Sequence, residues 1–205
     1  MKYLGIYLDC HLNWHTHENI TSSKLSRAVG MLCKIRHFVK HETLKMIYYG
    51  MFSSILTCCS QIWGQNNNIV NKLQILQNKA LRRINFQSNQ ASASVLYKNC
   101  KILKLRDHVN LQNFLFAHDS IKNNLPNSLR DQVCLVNNST HTRSITFHQL
   151  QRPPNKTIVY GSNSIKSKSV DIWNYINHEA HQEKLHEKSR VFCKSFVKNF
   201  LINRY

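Results

Sequence analysis

The sequence predicts a mainly α-helical chain with a short N-terminal strand and a few short strands in its C-terminal third, the helices gathered into a bundle. Apolar residues recur every three or four positions over long stretches, which is the periodicity of one buried helix face. Only 5 Gly and 3 Pro interrupt a chain of 205 residues, and its hydrophobic fraction of 42% is that of an ordinary folded domain. The length suffices for one globular domain or two small ones. Pattern and composition divide the chain into a strand and turn over 1–16, a helical domain over 17–135, and a C-terminal segment over 136–205 that joins an irregular, β-prone stretch to terminal helices.

The opening MKYLGIYLDC sets the β-prone Tyr3, Ile6, Tyr7 and Leu8 close together, with Gly5 marking a bulge or a close backbone approach. After a turn through 11–14, Leu25, Ala28, Val29, Leu32 and Ile35 keep helical spacing and predict a helix over 17–39. A second helix is expected over 42–63, with Leu44, Tyr48, Met51, Ile55, Cys58 and Ile62 as its buried stripe. Gly64, as a C-cap glycine, and the run Asn66-Asn67-Asn68 end it. The third helix, over 69–86, turns Ile69, Leu73, Leu76 and Ala80 inward and carries Lys72, Lys79 and Arg83 along another face. A short helix follows over 92–99, and the next opens with Asp107 as N-cap. That helix buries Leu111, Phe114, Leu115, a half-buried His118 and Ile121 until Leu125-Pro126 stops it. Between 136 and 167 the composition turns to Thr, Ser, Asn and the pair Pro153-Pro154, with β-prone pieces at 144–148 and 157–160. Helices return over 170–176 and 189–203, the last with Phe192, Phe196, Phe200 and Leu201 on one face.

Lys and Arg number 28 against 10 Asp and Glu, a formal charge of +18 with a pI near 9.9. Such an excess favours a polyanionic partner, because basic side chains that neutralise phosphates release condensed counterions. Between Glu42 and Asp107 there is no acidic residue, while Lys45, Lys72, Lys79, Arg82, Arg83, Lys98, Lys101, Lys104 and Arg106 all lie there. Nucleic acid is the favoured partner; an anionic membrane surface and a merely solvated cationic face are the alternatives. The uncharged stretch 46–71 does not read as a membrane span, since Ser53, Ser54, Ser60, Gln61, Gln65 and the three Asn break its apolarity. Cys10, Cys33, Cys58, Cys59, Cys100, Cys134 and Cys193 make an odd set without a CxxC pair. They read as reduced thiols of an intracellular chain, nuclear or cytoplasmic. Cys58-Cys59 is expected to be two small apolar fillers. His11, His15 and His17, and His178, His181 and His186 with Cys193, are the only neighbourhoods in which a zinc ion could be imagined. Neither has a closed Cys/His spacing, so no metal is expected.

The order of these landmarks resembles the run that follows the catalytic palm in reverse transcriptases of non-LTR (LINE-type) retrotransposons of the Jockey, CR1 and RTE kind. Lys2-Tyr3-Leu4-Gly5-Ile6 is similar to their KYLG strand, and Leu8-Asp9, Leu12-Asn13-Trp14 and His17 to the stretch that follows it. Ile47-Tyr48, Ser54-Ile55-Leu56 and Ile62-Trp63-Gly64 resemble the next block, and Leu76-Gln77-Asn78-Lys79-Ala80-Leu81-Arg82 the LQN.ALR helix. Gly161, Ser164-Ile165, Trp173-Asn174, Phe196-Val197-Lys198 and Leu201 are similar to the tail. The blocks cover essentially the whole chain in the family's order. Two places depart from it: Cys58-Cys59 stands where the family more often has Tyr-Gly, and Tyr175-Ile176-Asn177 replaces its Leu-Pro.

The resemblance implies a thumb-like bundle whose helices track a template-primer duplex. Lys72, Lys79, Arg82 and Arg83, with Lys101, Lys104 and Arg106, would then touch phosphates of RNA or DNA without reading sequence, and Tyr3, Leu4, Gly5 and Ile6 would lie near the primer terminus. It implies no catalysis by this chain alone. The family's polymerase carboxylates, which hold two Mg²⁺ ions, stand upstream of the KYLG strand. Here the aspartates are Asp9, Asp107, Asp119, Asp131 and Asp171, with no Asp-Asp and no Asp-x-Asp. The expectation is therefore a non-catalytic part of an RNA-directed DNA polymerase, without a cofactor of its own, Mg²⁺ belonging only to the intact parent enzyme. The alternative is a relic, or a helical protein-interaction module with no nucleic-acid role.

Overall fold

The computed structural model describes residues 1–130, 133, 135, 149–154, 157, 161–180 and 183–205, and its fold is mainly α-helical. Strands β1 (Lys2–Tyr3) and β2 (Ile6–Tyr7) form one antiparallel pair with Lys2 opposite Tyr7 and Tyr3 opposite Ile6. The helices are α1 (His15–Ile35), α2 (His41–Ile47), α3 (Ser54–Thr57), α4 (Ser60–Trp63), α5 (Asn67–Ile84) and α6 (Ala93–Cys100). They continue with α7 (Leu105–Ile121), α8 (Asn127–Arg130), α9 (Ile165–Glu179) and α10 (Arg190–Ile202). The chain separates into two compact units: Met1–His108 with Ile202–Tyr205, and Val109–Leu201.

The expected N-terminal strand is a hairpin, and Gly5 serves its turn rather than a bulge. Leu4 (φ 44°) and Gly5 (φ 87°) are the two residues between the strands, and two positive φ values in succession are what a tight turn matched to strand twist requires. Asp9 then starts α1, its carboxylate accepting from the backbone N–H of Asn13 at 2.7 Å and of His15 at 3.1 Å.

The core of the first unit is α1 packed on α5, closed by α2 and the stretch after it. In this packing α1 buries Leu25 and Leu32, and α5 buries Ile69, Leu73, Ala80, Leu81 and Ile84. The expected stripe of the second helix is displaced. Leu44, Tyr48, Phe52 and Leu56 are buried, whereas Met51, Cys58 and Ile62 are exposed. The cause is a π-helical stretch, Tyr48–Ser53, between α2 and α3. Bonding from i to i+5 winds more residues into each turn than the α-helix does, so side chains four apart stay on one face. The helix then breaks at Cys58-Cys59. Cys59 is left-handed (φ 50°) and both thiols are exposed, so the pair forms a corner and fills no core. Trp63 is buried beyond the corner and donates from its indole N–H to the carbonyl of Cys58 at 2.9 Å.

Two caps differ from expectation. Gly64 follows α4 with φ −72°, a right-handed conformation open to any residue. Asp107 lies in the first turn of α7, which begins two residues earlier at Leu105. Of the asparagine run, Asn66 is the N-cap of α5, its side chain accepting from the N–H of Asn68 at 3.0 Å.

In the second unit Phe114 of α7 stacks on Trp173 of α9 with centroids 4.9 Å apart. Asn174 offers its amide like a strand neighbour, accepting from the N–H of Leu150 at 2.8 Å and donating to its carbonyl at 3.0 Å. Ser164 caps α9, accepting from the N–H of Ser167 at 3.2 Å. His118 is fully buried rather than half-buried, with Nε2 facing the carbonyl of Lys188 at 3.1 Å. The β-prone pieces expected at 144–148 and 157–160 lie outside the described residues except Thr157. Leu135 and Leu150 form an isolated antiparallel bridge.

Candidate nucleic-acid interface

The interface rests on how few carboxylates the first unit contains and what they do. Asp9, Glu18, Glu42 and Asp107 are its acidic residues. Asp9 holds the start of α1, Glu42 lies in the first turn of α2 at the favourable end of the helix dipole, and Asp107 accepts from the Tyr205 hydroxyl at 2.7 Å. Glu18 is buried and meets the Lys72 ammonium at 2.7 Å. Among the described residues, these carboxylates form no ion pair with Lys79, Arg82 or Arg83.

The expected cations are placed as follows. Lys72, Lys79 and Arg83 repeat at helical spacing along α5. Lys72 differs from the others, because its charge compensates a carboxylate that would otherwise be buried alone. Lys79 is exposed in mid-helix. Arg82 donates through Nε to the carbonyl of Ala91 at 2.8 Å, and Arg83 through Nη2 to the side-chain oxygen of Asn89 at 2.9 Å. Both pin the loop after α5 with neutral acceptors, so each guanidinium keeps its full charge and further N–H donors. Arg106 reaches the other end of α5 and donates to the side-chain oxygens of Asn67 at 2.8 Å and Asn71 at 3.1 Å. Lys104 sits over the Tyr205 ring at 4.1 Å, and Lys101 closes α6 in a left-handed conformation (φ 54°). Tyr3, Leu4 and Gly5 are exposed in the hairpin, but Ile6 points into the core.

Beneath this face lies a polar hub centred on Gln77. Its amide nitrogen donates to Tyr48 Oη at 3.2 Å and to the carbonyl of Leu103 at 2.9 Å. Its oxygen accepts from the N–H of Leu105 and from Gln74 Nε2, both at 2.9 Å. Gln74 also donates to Tyr97 Oη at 2.6 Å, and Tyr97 donates to Asn78 at 2.8 Å. Burial pushes the phenols of Tyr48 and Tyr97 far above their usual range, so both stay neutral. Gln77 also explains why Leu76 is only half-buried: the inward position of that turn belongs to the glutamine.

A second group is not evident from the sequence. Arg36 and His37, just past α1, meet Phe86, just past α5: the guanidinium lies 5.1 Å from the ring centroid and the imidazole is T-shaped to the ring at 5.6 Å. Phe86 and Phe38 are 53% and 87% exposed. The one available signal is the alternation of basic and aromatic types in Arg36-His37-Phe38 and Arg82-Arg83 followed by Phe86.

The chemistry open to these residues is charge and stacking. Among the described residues no three His, Cys, Asp or Glu gather to hold a metal. His15 faces Glu18 while His17 turns to Trp63, so the two diverge, and His181 lies outside the described residues. No described helix is long and apolar enough to cross a membrane. Compared with known protein families, curated proteins and solved structures, the chain matches none.

Proposed function

We propose that the chain is a helical module that binds RNA or DNA without sequence preference through the cationic face of α5, in the manner of the thumb and post-thumb part of a non-LTR retrotransposon reverse transcriptase. The observation that carries this reading is the separation of charge in the first unit. Glu18 pairs with Lys72 and Asp107 accepts from Tyr205, while among the described residues Lys79, Arg82 and Arg83 meet neutral groups or solvent. The left-handed conformation of Cys59 adds support, because it is the one glycine adopts freely, at the place where the resembled family has Tyr-Gly.

Phosphate binding makes affinity fall with salt, log K against log[salt] having a slope of about 0.7 to 0.9 per neutralised phosphate. Changing Lys79, Arg82 and Arg83 together to Ala is expected to weaken binding equally on unrelated sequences and to lower the slope by about 1 per lost contact. Gel-shift titrations at several salt concentrations measure both effects. No binding at low salt, or a triple variant with the parental slope, would put the relic or the protein-interaction module in its place.

A further inference from the structure

We propose that Phe86 is a stacking platform for one unpaired nucleobase of a single-stranded RNA or DNA. This deepens the reading above and rests on it.

Three observations carry it. Phe86 stands where a helix ordinarily ends on glycine: the N–H of Gln87 bonds back to the carbonyl of Arg82 at 2.9 Å and the N–H of Phe86 to that of Arg83 at 3.4 Å, the double bond of a left-handed helix stop. Its φ is 55°, a conformation that a bulky side chain occupies at a cost and glycine does not. The ring recovers little of that cost by burial, since it is 53% exposed. It is nevertheless held in place, with the Arg36 guanidinium over its face at 5.1 Å and the His37 ring T-shaped to it at 5.6 Å. Arg36 in turn donates to His37 Nε2 at 3.1 Å.

A strained, exposed and propped aromatic ring suits a ligand that presents a flat π-face and carries negative charge beside it. Every nucleobase has such a face, and stacking on an aromatic ring tolerates any sequence. Arg83, three residues before Phe86 and held by Asn89, and Arg36, brought over the ring by the fold, keep further N–H donors for the adjoining phosphates. A base paired within a duplex has its faces occupied by neighbouring pairs, so the platform separates single strands from duplexes.

The test uses the full chain with a fluorescein-labelled oligo(U) and a duplex of equal length, read by fluorescence anisotropy. Phe86→Gly removes the ring and relieves the left-handed strain, so its Tm stays at the parental value or rises. Its affinity for oligo(U) falls by roughly tenfold or more, with duplex affinity unchanged. Phe86→Trp keeps the oligo(U) affinity, and Phe86→Leu loses it as glycine does. Parental oligo(U) affinity in Phe86→Gly, or an equal loss on single strand and duplex, overturns the platform. If the Lys79, Arg82 and Arg83 triple variant still weakens both ligands in that case, the α5 reading stands without it. If neither set of variants changes binding, both fail.

Discussion

His17 shows how one residue of a resembling motif is explained by the fold around it. Its ring packs on Trp63 at 5.5 Å, its Nε2 faces the Thr21 hydroxyl at 3.4 Å, and its Nδ1 faces the N–H of Tyr7 at 3.5 Å. The ring thus ties α1 to the hairpin and to the end of α4. Burial, with a smaller contribution from the Lys24 charge, lowers its pKa below the ordinary 6.5. The native state then binds fewer protons at this site than the unfolded chain does. Its contribution to stability is complete above about pH 6.5 and is lost as pH falls from there through the folded value. Urea midpoints measured from about pH 5 to 8 are expected to drop on the acid side. His17→Gln, which keeps a polar contact but cannot titrate, is expected to drop less. Identical curves for the two proteins would show that His17 is not responsible. Gln77 teaches the complementary lesson. Nothing in its residue type marks it as the centre of a buried network, since a helix face carries exposed glutamines just as often; only the carbonyl of Leu103 and the N–H of Leu105, brought to it by folding, give it that role.

The stretch from α2 to α4 shows the same limit for an element. Its apolar spacing reads as one continuous helix, and helical it is, but with a π-helical stretch and a corner at Cys59. An i, i+4 stripe and an i, i+3 stripe overlap over two turns, so spacing alone points Met51 inward, whereas the π-helical turn puts Phe52 in the core in its place. Helices α5 and α6, by contrast, lie within about two residues of expectation, because asparagine and serine flank them and their apolar faces admit one phase. The corner itself makes a prediction. A Cβ in the left-handed region is strained and glycine's hydrogen is not, so Cys59→Gly is expected to stabilise the protein by about 0.5–1 kcal/mol. Cys59→Ala, which retains the Cβ, should leave the urea midpoint near the parental value. A lower midpoint for the glycine variant would show that the Cys59 side chain matters more than its backbone.

Across the whole molecule, the sequence exposed the site only in part. The cations of α5 stand in a run without acidic residues and could be read directly, whereas Phe86 and Arg36 meet only because α1 packs on α5, which no local pattern encodes. Folding likewise decides what the described aspartates hold. Asp9 holds backbone N–H groups at the start of α1, Asp107 the Tyr205 hydroxyl, Asp119 the Arg190 guanidinium at 2.8 Å, and Asp171 that of Arg152 at 3.2 Å; Asp131 lies outside the described residues. Nucleotidyl transfer by two metal ions needs several carboxylates converging on ions about 4 Å apart, so that one ion activates the attacking hydroxyl and the other steadies the leaving group. Among the described residues these aspartates are committed to separate elements and do not converge in this way. The purified chain is therefore expected to extend no primer on an RNA template with Mg²⁺ or Mn²⁺, even at low salt. Template-dependent incorporation above a buffer control, abolished by EDTA, would show that this chain can itself assemble a catalytic centre.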